Sequence, residues 1–445
     1  MGISPVAPTM TSEEIVRLNR AHTLFSWSIQ GALDPIAIDH AEGVYLYTPE
    51  GRQILDFNSQ LMSVNIGHGD RRVIDAIMAQ ATKLQYVQPA FATEIRARLG
   101  AKLAEILPGD LDKVFFTLGG AEAIENAIKI ARHHTGRHKV LSRYRSYHGA
   151  TMGAMTLTGD PRRWANEPGL VGVVRYQDTH RWGEKEPRPA GESLQGLEDV
   201  IRYEGPHTIA AVFLETIVGT NGILIPPEGY IAGVREICDR HGILMVADEV
   251  MAGFGRTGRW FAIDHWDVVP DLMTMAKGLT SSYLPLGAVA MRHEIAEAFE
   301  TKMFFGGLTY SSHPVSLAAA LATIGVYEED GLIENAARLG PIMRGHHERL
   351  YERHPSVGAH RSLGLFGAID LVRSRDPFTP MTTFNGTSDE MKAVGGHLRR
   401  NGVYTMIANN TIHTNPPLCI TEEQLVEGFE VLDAALEIAD RSVTG

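Results

Sequence analysis

Lys277 closes an apolar run, 272–276 (LMTMA). An ammonium in such a place is costly to bury unless it is paired or gives up its proton. Desolvation lowers a lysine pKa, which is what an amine nucleophile needs to form a Schiff base. The alternative is a lysine whose stem follows the sheet edge while its head reaches water. A second apolar run, 243–247 (ILMVA), ends on Asp248-Glu249-Val250. That acidic pair fits a metal ligand set, an acid/base pair or a solvated turn, and no HExxH, His/Cys cluster or DxD spacing adds weight to the metal. A third run, 113–118 (KVFFTL), leads into Gly119-Gly120-Ala121 directly before a helical stretch. Small residues there either let backbone N–H groups close on a phosphate at a helix N-terminus or make a tight turn.

Together the three ends offer an anion cradle, a carboxylate and a desolvated amine. Pyridoxal phosphate requires this trio: a phosphate seat, an acid opposite the pyridine nitrogen, and an amine for its aldehyde. Tyr147, which follows the short run 139–142 (KVLS), stands at another such end and is placed to cover one ring face. Gly253-Phe254-Gly255-Arg256-Thr257-Gly258 matches G-x-G-x-x-G literally, but it begins five residues past Asp248 and no amphipathic helix follows. It therefore reads as a loop shaping the backbone near a site, not as a dinucleotide fingerprint. His133 and His134 fall at a helix end, and His346 and His347 read as exposed helix residues.

The elements that position these residues alternate in type. Short runs apolar on both faces (113–118, 139–142, 209–214, 243–247, 272–276, 287–291) are separated by helical stretches. In one of these, 122–133, Ile124, Ala127, Ile128 and Ala131 share a face. Such a pattern predicts a mainly parallel sheet covered by helices, with ligands bound beyond the carboxyl ends of its strands. Long helices at 314–328 and 332–354, a strand at 365–372 and a closing helix at 422–441 predict a smaller α+β domain. Strands at 43–47 and 53–57 are expected to join it from the other chain end. The expected division is 1–75 (N-terminal segment and part of the small domain), 76–335 (large cofactor-binding domain) and 336–445. Segments 181–191 and 373–388 read as loops.

With 445 residues, 44 % hydrophobic and 21 % charged, the chain has material for a large core. A net charge of −12 without a basic block argues against nucleic acid or an anionic membrane as partner. No apolar run is long enough for a membrane span. The start, MGISPVAPTM, lacks the order of a signal peptide, and Val6 stands where a myristoylation signal needs Ser or Thr. Two cysteines are too few for a disulfide framework, so a cytoplasmic setting is expected.

From about Ala21 to Gly428 the chain resembles the class III pyridoxal-phosphate aminotransferases of fold type I, the ω-aminotransferases. The motifs that carry the likeness are 117–132 (TLGGAEAIENAIKIAR), Tyr147-His148-Gly149, 246–258 (VADEVMAGFGRTG), 276–289 (AKGLTSSYLPLGAV) and 307–314 (GLTYSSHP). The resemblance implies that Lys277 is the Schiff-base lysine and Asp248 the partner of the pyridine nitrogen. It places Val250 on the ring face opposite Tyr147, with His148 beside the cofactor. Gly120 and Ala121 would give N–H groups to the phosphate, Glu215 would stand near the ring, and Thr309 would reach the phosphate of a neighbouring subunit. It also implies a homodimer with shared sites, or a tetramer of such dimers. By the same likeness Lys277, once freed, moves the substrate's proton as general base in a ping-pong exchange.

Substrate choice departs from the family pattern. Met406, in 404–418 (YTMIANNTIHTNPPL), occupies the place of an arginine that grips a carboxylate, so a bidentate clamp is missing there. Asn409, Asn410, His413 or an arginine from elsewhere would have to bind an acid group. Met62 sits where amine-selective members carry Trp, which implies a roomier pocket, and Trp27 matches an aromatic position at the substrate entrance. The expected reaction moves an amino group from an ω-amine, ω-amino acid or taurine-like donor to pyruvate or a related 2-oxo acid. Pyruvate is expected to outperform 2-oxoglutarate for want of a second arginine. The alternatives are an aminomutase, racemase or phospho-lyase on the same fold, or a silent binding protein.

Overall fold

A computed structural model describes residues 10–444. Residues 1–9, and with them Val6, lie outside the described residues, as does Gly445. Seven strands form the central sheet, in the spatial order Lys113–Thr117, Gly287–Met291, Leu272–Met275, Leu244–Asp248, Ile209–Glu215, Lys139–Arg143 and Val173–Tyr176. Only Gly287–Met291 runs against its neighbours; the pairs from Leu272–Met275 to Val173–Tyr176 are parallel.

The middle strand shows why the order is stable. All seven residues of Ile209–Glu215 are buried, as expected for a strand covered by helices on both faces. On one face the helix Gly120–Thr135 lays Ile124, Ala127, Ile128 and Ala131 against the sheet. Each fully buried aliphatic or aromatic side chain there contributes roughly 1.5–3 kcal/mol. The helix ends on Gly136 at φ +67°, a left-handed cap that glycine adopts without strain.

Two smaller sheets complete the chain. His40–Glu42, Tyr45–Tyr47 and Gln53–Asp56 are joined by Val403–Tyr404, which pairs in parallel with Gln53–Asp56 and so brings the two chain ends into one sheet. Val357–Leu363, Phe366–Arg375, Thr411–Thr414 and Ile407–Ala408 form the other, with Phe378–Pro380 folded back on Phe366–Arg375.

Two readings of the sequence need correction, and one strand carries no clear signal in it. The strand Val173–Tyr176 (VVRY) is short and carries an arginine, and it takes its place as an edge of the central sheet through pairing alone. Segment 373–388 is not wholly loop, since one strand runs through Arg375 and Phe378–Pro380 returns along it. His347 is fully buried, with its Nε2 3.0 Å from Thr414 Oγ1; burial pulls its pKa down to about 3. The helix Leu332–Arg353 buries that face against the second small sheet, so a ring that looks solvent-facing in sequence is part of the core.

Among the described residues no helix is long and apolar enough to cross a membrane, and no group of three His, Cys, Asp or Glu side chains gathers to hold a metal. Phe213 lies at the centre of the covered sheet with no exposed surface. Phe213→Ala is expected to cost about 3–5 kcal/mol, read as a lower denaturant midpoint at unchanged slope and fixed protein concentration.

Candidate active site

Parallel pairing puts the chemistry of three adjacent strands at one level. Glu215 and Asp248, the last residues of their strands, are register partners, and Asp248 is likewise paired with Thr274. Lys277 follows Thr274 by three residues, just past the end of its strand. Gly120, Ala121, Tyr147, His148, Glu215, Asp248, Val250 and Lys277 all line one cavity of about 260 Å³, together with Thr220 and Met251.

Each polar group there has a definite tether. Asp248 Oδ2 lies 2.7 Å from His148 Nδ1, and its Oδ1 accepts from Thr274 Oγ1 at 3.2 Å and Val250 N at 3.1 Å. Glu215 spans two loops, accepting from Tyr147 N at 2.9 Å and Gly219 N at 2.8 Å; burial raises its pKa. Lys277 is lowered from the ordinary 10.5 to about 8, chiefly by desolvation, with Glu215 and Asp248 opposing the shift and Arg162 and Arg256 adding to it. Its backbone sits at φ +46°, strained for a residue with a Cβ.

The helix Gly120–Thr135 begins inside the cavity, so its first N–H groups, which have no intrahelical partner, face the space. Close backbone approach requires glycine at two points. A Cβ on Gly120 would stand 2.9 Å from Val250 Cγ1, and one on Gly149, at φ +142°, would stand 2.6 Å from Ala121 Cβ. The cradle, carboxylate and amine therefore fit pyridoxal phosphate: N–H groups for the phosphate, Asp248 for the ring nitrogen, Val250 and Tyr147 as walls, Lys277 for the aldehyde. When bound, that cofactor acts as an electron sink for the bond-breaking at the substrate carbon.

Other expected residues lie further out. Trp27 is exposed and meets the Tyr147 ring edge-on at 6.0 Å. Met62 is fully buried in an apolar cluster that contains Met251, and Met406 packs against the same cluster; neither lines the cavity. Thr309 is exposed, away from the cavity of its own chain, and its carbonyl accepts from Tyr86 Oη at 2.7 Å.

The acid-binding alternatives near Met406 point elsewhere. Asn410 donates to Leu371 O at 2.9 Å, and His413 is buried with Nδ1 3.3 Å from Met406 O.

An arginine does enter from another segment. The Arg162 guanidinium lies 3.7 Å from the Tyr147 ring centroid and 5.5 Å from that of Trp27. Its Nε and Nη2 pair with Asp160, and Nη2 also donates to Thr220 Oγ1 at 2.7 Å. Nη1 has no partner among the described residues and the side chain is 28 % exposed, so one donor is left for an incoming anion. Arg162 sits in a short 3-10 helix, Pro161–Asn166, too short to carry a periodic signal. Only its spacing after Tyr147 and the N-cap Asp160 hint at a return to the site.

The family model for class-III aminotransferases matches residues 29–436. A solved taurine:2-oxoglutarate aminotransferase from Bifidobacterium kashiwanohense, in complex with PLP and glutamate, superposes with a TM-score of 0.95 at 38 % identity, covering 98 % of this chain and all of the other. A putrescine–pyruvate aminotransferase of Pseudomonas aeruginosa is 34 % identical over 411 residues, 88 % of each chain. A leucine/methionine racemase of Thermococcus litoralis is 33 % identical over 98 % of each. Matched nearly end to end in sequence and shape, with amine and carboxylate at the carboxyl ends of its central strands, this chain is a member of the class III aminotransferases, enzymes of fold type I that depend on pyridoxal phosphate.

Proposed function

We propose that the enzyme takes an amino group from a donor that also carries an acid group, an ω-amino acid or a taurine-like sulfonate, and passes it to a 2-oxo acid. The observation that carries this reading is Arg162, stacked on Tyr147 with one guanidinium donor unengaged. A planar cation held over the ring is suited to a carboxylate or sulfonate. The taurine specificity in the name of the Bifidobacterium relative supports the same class of donor. Arg162 supplies one anion grip, and a dicarboxylate such as 2-oxoglutarate calls for a second, so pyruvate or a related 2-oxo acid is the acceptor of this reading.

In this reading Lys277 carries the cofactor and, once freed, moves the proton at the reacting carbon; its pKa, lowered to about 8, makes the neutral amine far more available for that work than an exposed lysine would be. Asp248, oriented by His148 and Thr274, holds the charge of the ring nitrogen. Glu215 fixes the Tyr147 and Gly219 backbones, and so the wall on which Tyr147 stands. Thr309 serves a second copy of the chain in a homodimer. The exposed Met303, Phe305 and Tyr310 around it support an apolar contact there. Two free cysteines fit a cytoplasmic enzyme.

The racemase relative supports a second reading, in which the proton is exchanged but the amine stays on its carbon. Donor added alone to the loaded enzyme separates the two. Stoichiometric conversion of the yellow cofactor to its amine form supports transfer, whereas solvent deuterium at the reacting carbon without that conversion supports racemisation. Lys277→Ala is expected to abolish both.

Arg162→Gln is expected to raise KM for acidic donors ~10–100-fold, the worth of one lost charge-assisted contact, while leaving a neutral aryl amine unaffected. An equal loss with both substrates would remove Arg162 from acid recognition.

For the cofactor-free protein the sign of the pH effect follows from the lowered lysine. Between about pH 8 and the ordinary 10.5 the folded chain has released a proton that the unfolded chain still holds, so stability rises with pH in that window. Acylation of Lys277, followed by peptide mass spectrometry, is expected to titrate with a midpoint of about 8. A midpoint at the value of an exposed lysine would contradict the desolvated amine.

A further inference from the structure

The glycine loop after Asp248 carries a second feature that the reaction as described does not use. Arg256 is fully buried, and among the described residues no carboxylate forms an ion pair with it. Its partners are neutral oxygens. Nη1 donates to Asn415 O at 3.2 Å and Pro416 O at 2.5 Å, and Nη2 donates to Ser59 Oγ at 2.5 Å and Asn65 Oδ1 at 2.9 Å. Nε has no partner. Asp56, the nearest acid in charge terms, spends its carboxylate on the Asn58 and Gln60 N–H groups and on His68. A neutral side chain would satisfy such a set at far lower desolvation cost, and burial, against the opposing pull of Tyr327, Asp56 and Cys419, brings this guanidinium down to about 10.

The charge lies one side chain away from the lysine turn. Asn65, which accepts from Arg256, donates to Phe254 O at 2.9 Å, and its amide nitrogen would be 2.5 Å from a Cβ on Gly278. Tyr327 Oη closes the other side by donating to Gly278 O at 2.8 Å. The lysine backbone and its followers Ser281 and Ser282 are all at positive φ, so the turn is clamped in one strained shape. The charged groups facing the amine are Glu215 and Asp248 on one account, Arg162 and Arg256 on the other. Those facing Arg256 are Asp56, Tyr327 and Cys419.

We propose that Arg256 is a positioning residue for Lys277: its uncompensated guanidinium, locked against the lysine turn through Asn65, disfavours a second positive charge and holds the linkage nitrogen neutral. The two carboxylates needed at the ring would otherwise favour a proton on that nitrogen, and Arg256 offsets them from behind. The same fork ties the segment around Ser59 to the Asn415–Pro416 turn, so the charge cannot relax toward solvent. This inference rests on the reading of Lys277 as the cofactor-bearing lysine.

The test is a spectrophotometric pH titration of the visible Schiff-base band in the cofactor-loaded enzyme, comparing wild type with Arg256→Gln, Arg256→Lys and Asn65→Asp. Removing the charge (Arg256→Gln) or giving it a counterion (Asn65→Asp) is expected to raise the midpoint by about one pH unit, while Arg256→Lys stays within ~0.3 unit of wild type. A purely structural clasp would lower the melting temperature of the variants and leave every midpoint in place, which overturns the proposal. If Arg256→Gln fails to retain cofactor, Asn65→Asp decides: an unchanged midpoint there overturns it as well. A wild-type band that shows no titration would overturn the proposal, whereas a Schiff-base band that persists in Lys277→Ala would reject Lys277 as the linkage residue.

Discussion

An amine that must stay out of water next to two carboxylates governs the architecture of this site. Water would hydrate Lys277 and return its pKa to the ordinary range; unscreened carboxylates would do the same by attraction. The fold answers with position. Glu215 and Asp248 sit at the ends of neighbouring parallel strands, each already engaged by N–H, hydroxyl or imidazole groups. Two guanidiniums, those of Arg162 and Arg256, add positive potential. The amine is poised by a balance of four charges in a desolvated space, and none of them touches it through a hydrogen bond.

The sheet makes that balance possible. A parallel register brings strand ends level without any side chain having to reach, and the one reversed strand, Gly287–Met291, closes the gap beside Lys113–Thr117. Gly287 is needed there because a Cβ would meet Gly119 O at 2.4 Å. That oxygen belongs to the turn from which the helix Gly120–Thr135 begins, so a missing methyl on one strand sets where the helix N-terminus enters the cavity.

Much of this was legible in the sequence because strand ends announce themselves. An apolar run that stops at Asp248 or Lys277 marks a place where a charged group meets a buried sheet, and helix periodicity fixed the Gly120–Thr135 face to within a turn. What was not legible has one physical cause: contacts made by side chains that return from irregular segments. Arg162 leaves a short turn, Asp160 and Thr220 hold it from two different loops, and no period records such a convergence. His347 gives the complementary case. Its neighbours in the helix are charged, yet Thr414 from a distant strand makes that position interior. The glycines around Arg256 advertised a shaped loop, but the four oxygens that receive the guanidinium come from residues up to about 200 positions away.

An acid grip at Arg162 instead of position 406, as proposed, has a structural logic. Met406 packs with Met62 and Met251 in an apolar cluster, where a guanidinium would have to be desolvated without a partner. Arg162 instead has its partners already in place: Asp160 is held by Asn221 Nδ2 at 3.1 Å, and Thr220 of the same loop accepts from Nη2. That loop is anchored in turn by Arg361, whose Nε donates to Gly222 O at 2.6 Å while its fork pairs with Asp370 on the small sheet. A grip held on both sides loses little freedom when an anion arrives, so more of the contact energy goes to binding. The same loop supplies Gly219 N to Glu215, so the groups that hold Arg162 and those that orient Tyr147 rest on one short piece of backbone.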